Sequence, residues 1–88
     1  MDPQVIANKA MDAIIRMNFG DAHSIPSIIG KNTDELIQIF TYMRYDIYYK
    51  YGRDSDESVD TFVARMDVHI KICDTAIADL EKIAARQN

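Results

Sequence analysis

The stretch DSDESVDTFVARMDVHIKICDTAIADLEKIAARQN, residues 54–88, decides the fold. Its apolar residues recur at alternating spacings of four and three, which keeps them on one face of an α-helix over nearly four heptads. In heptad lettering, the a positions hold Val63, Ile70, Ile77 and Ala84, and the d positions hold Val59, Met66, Cys73 and Leu80. Asp54 and Glu57 form a capping box at the start of this stretch. The sequence therefore predicts one long helix that starts at residue 54 and spans on the order of 45–50 Å.

Two interpretations of this apolar stripe are open. A seam of a and d positions, with β-branched residues at a, is typical of a two-stranded coiled coil and predicts a homodimer. A third apolar row at g is more typical of a helix that packs against several others within one chain. That row consists of Phe62, His69, Ala76 and Ile83. We expect a bundle helix that also dimerises, and the expected dimer seam is Val63, Met66, Ile70, Cys73, Ile77 and Leu80.

The e positions of the long helix hold four acids, which we call the acidic row: Asp60, Asp67, Asp74 and Glu81. The simpler interpretation is a solvated edge beside the apolar stripe. The alternative is a surface that binds a basic partner. Residues 1–53 hold six acids and six bases, whereas residues 54–88 hold eight acids and four bases, so the net charge of −4 belongs to the long helix. This balance argues against direct nucleic-acid binding, which needs clustered Lys and Arg.

Length and composition indicate one folded domain over residues 1–88. Hydrophobic residues make up 48% of the chain and charged residues 27%, as in ordinary globular proteins. One cysteine cannot form a disulfide framework within the chain, and it predicts a reducing, cytoplasmic location. Apolar runs all fall short of the roughly 18 residues that a membrane span requires, so we expect no membrane association.

The first helix is marked by Asp2 followed by Pro3, a capping residue and a residue that suits the first helical position. We expect this helix to end before Gly20. Its apolar face is broad, so the rest of the fold or a second subunit should cover it. The face comprises Val5, Ile6, Ala10, Met11, Ala13, Ile14, Ile15 and Met17.

A connection and a second helix follow. Pro26 cannot continue a helix, and the two isoleucines after it predict a short helical turn near residues 25–30 that folds onto the core. Asn32 and Glu35 form a capping box, from which the second helix should run to Gly52. A tight turn then leads to the long helix, so these two helices should form an antiparallel hairpin. The predicted fold class is all-α, a three-helix bundle made of this hairpin and the N-terminal helix.

All five tyrosines lie within residues 42–51. On a helix, Tyr42, Tyr45 and Tyr49 share one face, which we call the tyrosine face, and Arg44 is close to it. The simpler interpretation is a bundle edge whose tyrosine hydroxyls reach water. The alternative is a protein-binding face, because Tyr and Arg are enriched in binding hot spots. Stacking on nucleic-acid bases would require a more basic groove.

The sequence shows no constellation that would support catalysis. His69 and Cys73 are four residues apart, as metal ligands often are, but a structural zinc site needs four ligands and only His23 remains as an obvious third. The residues around His69 also differ from those of histidine phosphotransfer domains. No nucleophile elbow, glycine-rich phosphate loop or carboxylate pair in an apolar pocket is present. We therefore expect no enzyme activity, no cofactor and no metal site.

These features predict a non-enzymatic protein–protein interaction module, a small helical regulator, adaptor or inhibitor that acts as a homodimer. The alternative is an acidic inhibitor or nucleic-acid mimic that neutralises a basic nucleic-acid-binding protein, by the physics that immunity proteins, antitoxins and phage inhibitors use. The residues expected to bind the partner protein are Tyr42, Arg44, Tyr45, Tyr49, Asp60, Asp67, Asp74 and Glu81.

Overall fold

The computed structural model describes residues 2–17, 26–50 and 56–87, with the backbone alone for residues 47–50. Across these ranges it contains three α-helices and no strand. They are α1 (Pro3–Arg16), α2 (Thr33–Lys50) and α3 (Val59–Gln87). The predicted all-α arrangement of three helices is confirmed.

Two of the predicted helix starts are confirmed by their hydrogen bonds. Asp2 caps α1, because the backbone N–H of Gln4 donates to its Oδ1 atom at 2.9 Å. Before α2, the N–H of Glu35 donates to Asn32 Oδ1 at 2.8 Å, and the N–H of Asn32 donates to Glu35 Oε1 at 3.1 Å. This reciprocal pair satisfies two N–H groups that a helix start would otherwise leave without a partner.

The predicted start of the long helix is wrong by five residues. Residues 56–58 are not helical, and α3 begins at Val59, with Ser58 Oγ accepting from the N–H of Thr61 at 3.1 Å. Serine caps a helix as well as aspartate does, so residue type alone could not choose between them. Glu57 instead accepts from Arg65 Nη2 at 2.8 Å, and both side chains are largely buried. The predicted cap, Asp54, lies outside the described residues.

The segment before α2 is a turn and not the predicted short helix. Residues 26–28 have no regular structure, and Ile29 and Gly30 form a turn. Gly30 has φ +72°, a left-handed conformation that favours glycine. Ile28 is buried as predicted, whereas Ile29 is 82% exposed, so one of the two isoleucines packs on the core. Residue 25 lies outside the described ranges.

Both shorter helices pack on α3 and make few contacts with each other. The C-terminal end of α1 lies near the start of α3, because Arg65 Nη1 reaches the carbonyl oxygen of Met17 at 3.5 Å. From there α1 follows α3 through residues 68–79, so the two helices are antiparallel. Helix α2 packs along α3 more extensively, as the predicted hairpin requires. The predicted tight turn at residues 52–53 lies outside the described part of the chain.

The core lies between the three helices. Its largest fully buried side chains are Phe40, Leu36, Leu80, His69 and Cys73. Burying a Leu or Phe side chain stabilises a fold by roughly 1.5–3 kcal/mol, so Leu36, Phe40 and Leu80 each contribute on that scale. The molecule measures 47 × 23 × 19 Å, and its radius of gyration of 13.6 Å exceeds the roughly 12 Å of a compact chain of this length. The long dimension follows from α3, whose 29 residues span about 43 Å.

Candidate binding surfaces

The buried face of α3 is centred between the d and g rows. Its buried residues are Met66, His69, Cys73, Ala76 and Leu80. Positions d and g are buried because α1 and α2 approach α3 from two sides, which supports the interpretation of α3 as a bundle helix. Half of the expected dimer seam, namely Met66, Cys73 and Leu80, is therefore already covered within one chain.

The other half of the seam keeps exposed surface. Ile70 and Ile77 are half-buried at the edge of the core, and Val63 is 43% exposed. Val59, one turn before Val63, is exposed as well. A second subunit could therefore contact this edge of α3 without opening the bundle, and the homodimer stays a prediction.

His69 and Cys73 form a buried polar pair rather than an open site. Both side chains are fully buried, and His69 Nδ1 lies 4.0 Å from Cys73 Sγ. Burial lowers the pKa of His69, because an apolar surrounding disfavours the charged imidazolium. Burial also raises the pKa of Cys73 to about 12, so its thiol stays protonated and unreactive at neutral pH. Among the described residues, no group of three or more His, Cys, Asp or Glu side chains could hold a metal ion.

The acidic row is exposed along its whole length, from Asp60 to Glu81. Asp74 differs from the other three acids because its Oδ1 atom accepts a hydrogen bond from Arg44 Nε of α2. Both side chains of this ion pair are open to solvent, so its effect is to position the groups rather than to stabilise the fold. The hydrogen bond from the Arg44 guanidinium to Asp74 and the charge of that carboxylate raise the pKa of Arg44.

The tyrosine face points away from the core of the bundle. Tyr42 is 72% exposed and Tyr45 is 65% exposed, and they are one turn apart on the outer side of α2. The guanidinium carbon of Arg44 lies 5.6 Å from the centre of the Tyr45 ring, within the range of a cation–π interaction. The side chain of Tyr49, the third predicted member, lies outside the described part of the structure.

Arg44 joins the two predicted surfaces. It contacts the ring of Tyr45 on α2 and the carboxylate of Asp74 on α3. The sequence placed the acidic row and the tyrosine face on separate helices and could not show that they meet. We call the combined area the tyrosine–acid surface, and its described members are Tyr42, Arg44, Tyr45, Asp60, Asp67, Asp74 and Glu81.

A second surface feature was not predicted from the sequence. An open apolar groove of about 460 Å³ runs between residues 5–13 of α1 and residues 68–79 of α3. Val5, expected to be covered, lies on one lip and is 54% exposed, and Val68 on the α3 lip is 52% exposed. The sequence did carry a signal for this groove. Val68 and Ile72 are apolar residues at an f and a c position of α3, outside the a–d seam.

In comparisons with known proteins, no family model, no curated protein and no solved structure matches this chain. None of the described helices is long and apolar enough to cross a membrane.

Proposed function

We propose that this protein is a non-enzymatic interaction module whose tyrosine–acid surface binds a protein with a basic surface. The observation that carries the proposal is the position of Arg44 between the Tyr45 ring and the Asp74 carboxylate. This bridge links the exposed aromatic rings on α2 to Asp74, one of the four exposed carboxylates of the acidic row on α3.

The chemistry of this area suits protein recognition. Tyr side chains gain a large contact area while losing only two rotatable bonds, so Tyr42 and Tyr45 are efficient anchors. Arg44 is already held by two neighbours, so little further side-chain entropy would be lost on binding. The carboxylates beside these anchors attract a basic partner and orient it during the encounter.

The acidic row by itself is a poor imitation of a nucleic acid. Its members are seven residues apart, which on a helix is about 10 Å. Double-stranded DNA carries one charge per about 1.7 Å of its axis, and Arg44 already offsets the charge of Asp74. The alternative of a nucleic-acid mimic that neutralises a nucleic-acid-binding protein therefore has less support than an aromatic site with an acidic edge.

Two further proposals accompany this function. The homodimer would form through the exposed edge of α3 that contains Val63, Ile70 and Ile77, because these members of the seam keep accessible surface. A cytoplasmic location is supported by the single Cys73, which is a buried free thiol.

The test is affinity capture of partner proteins with the full chain, at low and at high salt. Replacing both Tyr42 and Tyr45 by Ala should weaken binding of the captured partner at least about tenfold, since exposed aromatic anchors contribute about 1–2 kcal/mol each. Ile29→Ala is a matched control, because Ile29 is an exposed apolar residue that lies outside this surface. Circular dichroism should show unchanged helicity in both variants.

Salt provides the second arm of the test. Asp60→Asn combined with Asp67→Asn should weaken capture at low salt and have little effect at high salt, because exposed charges are screened. Capture that survives in the Tyr42 and Tyr45 double variant, or that is indifferent to salt, would show that the partner does not use this surface.

A further inference from the structure

The groove between α1 and α3 exists because small side chains line its floor. Ala10, Ala13 and Ala76 occupy positions where a larger apolar residue would fill the space between the two helices. The groove is long and open on one side, in contrast to an enclosed cavity for a small molecule. Its α3 wall spans residues 68–79, which is about 16 Å, or three helical turns.

The lips of the groove are apolar and only half covered by the chain. Val5 of α1 and Val68 of α3 each expose more than half of their surface. Neither α1 nor α3 covers them, so their apolar surface is accessible to another molecule. Apolar side chains that gather along one groove are typical of a surface that another molecule covers.

The charged residues that line the groove are two lysines and one aspartate. Lys9 on α1 and Lys71 on α3 provide one positive charge on each wall, in a protein whose net charge is −4. Asp79 stands on the α3 wall about 12 Å from Lys71, at the other end of the groove. An occupant that complements this rim carries acids over the lysines.

We propose that this groove binds one amphipathic α-helix of a partner protein, with acidic residues on both sides of its apolar stripe. Three turns accommodate apolar anchors at positions i, i+3 or i+4, and i+7, which is the usual pattern of a helix in a groove. The bound helix would lie against α1 and α3 and complete a four-helix arrangement around the central helix.

This inference rests on the proposed function in treating the chain as an interaction module, but it concerns a different surface. The tyrosine–acid surface lies on α2 and on the acidic row, whereas the groove uses α1 and the opposite side of α3. Synthetic peptides test the groove without the natural partner, so a failure here leaves the proposed function intact. Conversely, loss of capture in the Tyr42 and Tyr45 double variant concerns the tyrosine–acid surface alone, and the peptides test the groove independently.

The experiment measures binding of three labelled peptides of about 18 residues to the full chain by fluorescence anisotropy. The first has Leu anchors on one face with Glu on both flanks, the second replaces each Glu by Lys, and the third scatters the Leu residues around the helix. We expect the Glu-flanked peptide to bind about tenfold more tightly than the Lys-flanked one and the scattered peptide to show no saturable binding.

Variants of the chain locate the site. Ala13→Leu fills the groove with a good helix former at a half-buried position and should abolish binding of the Glu-flanked peptide. Lys9→Glu and Lys71→Glu should each weaken the Glu-flanked peptide and strengthen the Lys-flanked one. Lys31→Glu is the matched control, because Lys31 is exposed, lies outside the groove and undergoes the same change of charge.

Equal binding of the Glu-flanked and Lys-flanked peptides would overturn the proposal, as would binding that survives in Ala13→Leu with unchanged helicity. A chain that is dimeric in solution and becomes monomeric in Ala13→Leu would also overturn it, because the occupant would then be a second copy.

Discussion

At the scale of single residues, the fully buried His69 is the most informative position. The sequence placed His69 in the third apolar row of the long helix, and the structure shows it fully buried within the face of α3 that packs in the core. Its Nδ1 atom lies 4.0 Å from the Sγ atom of Cys73, whose thiol stays neutral because burial raises its pKa to about 12. A neutral imidazole is compatible with this surrounding, whereas an imidazolium would be costly to bury.

The stability of the fold should therefore decrease as the pH falls below about 6.5. The pKa of His69 is lower in the folded chain than the ordinary 6.5, so below about pH 6.5 the unfolded chain binds a proton that the folded chain does not. The contribution is fully present above pH 6.5 and is lost as the pH falls, at no more than about 1.4 kcal/mol per pH unit. Urea unfolding at several pH values measures it.

His69→Gln should flatten this pH dependence, apart from the part that carboxylates contribute at the acid end. The chain has one other histidine, and His23→Gln is the matched control, which should keep the slope. The reverse result, with His23 controlling the slope, would show that the assignment to His69 is incorrect.

At the scale of elements, the starts of the helices separate what local sequence can predict from what it cannot. The cap at Asp2 was predicted because Pro3 suits the first position of a helix, and the cap at Asn32 because Glu35 completes a capping box three residues later. The start of α3 was not, because several residues that can cap a helix precede it, and in the structure Ser58 is the cap while Glu57 forms an ion pair with Arg65. That contact spans eight residues of sequence and joins the segment before α3 to the second turn of the helix.

Ser58→Ala should destabilise the protein by about 1 kcal/mol, because it removes the oxygen that accepts from the N–H of Thr61 at the start of α3. Asp54→Ala tests the competing assignment from the sequence and should change the free energy of unfolding much less. Guanidinium unfolding of the two variants compares them directly. A larger loss in Asp54→Ala than in Ser58→Ala would show that the helix starts at residue 54 after all.

At the scale of the whole molecule, α3 is the element that both other helices use. Its length exceeds that of α1 and α2, so the molecule is elongated, and α3 keeps apolar edges that the other two helices leave partly exposed. Two such edges remain, one along Val63, Ile70 and Ile77 and the other along the groove with α1. The first belongs to the proposed homodimer and the second to the proposed partner helix.

Light scattering coupled to gel filtration distinguishes these edges. We expect a solution mass of twice the 10.1 kDa of the chain, as for a homodimer. Val63→Lys places a charge on the exposed edge of α3 and should dissociate this dimer into monomers. Val68→Lys, on the groove side, is the matched control and should leave the dimer intact. A monomeric mass at every concentration and salt would show that the seam acts only within one chain.

The sequence by itself determined the all-α class, three helices and two of their starts, because hydrogen bonds between residues four apart and capping contacts are local. It also identified the acidic row and the tyrosine face, since residues seven or three and four apart on a helix must share a side. Only the tertiary structure decided which rows of α3 are buried, because three adjacent rows are apolar and the directions from which α1 and α2 approach select among them. The Arg44–Asp74 bridge and the groove arise in the same way: each is made by two helices, and how two helices pack is not encoded in the periodicity of either one.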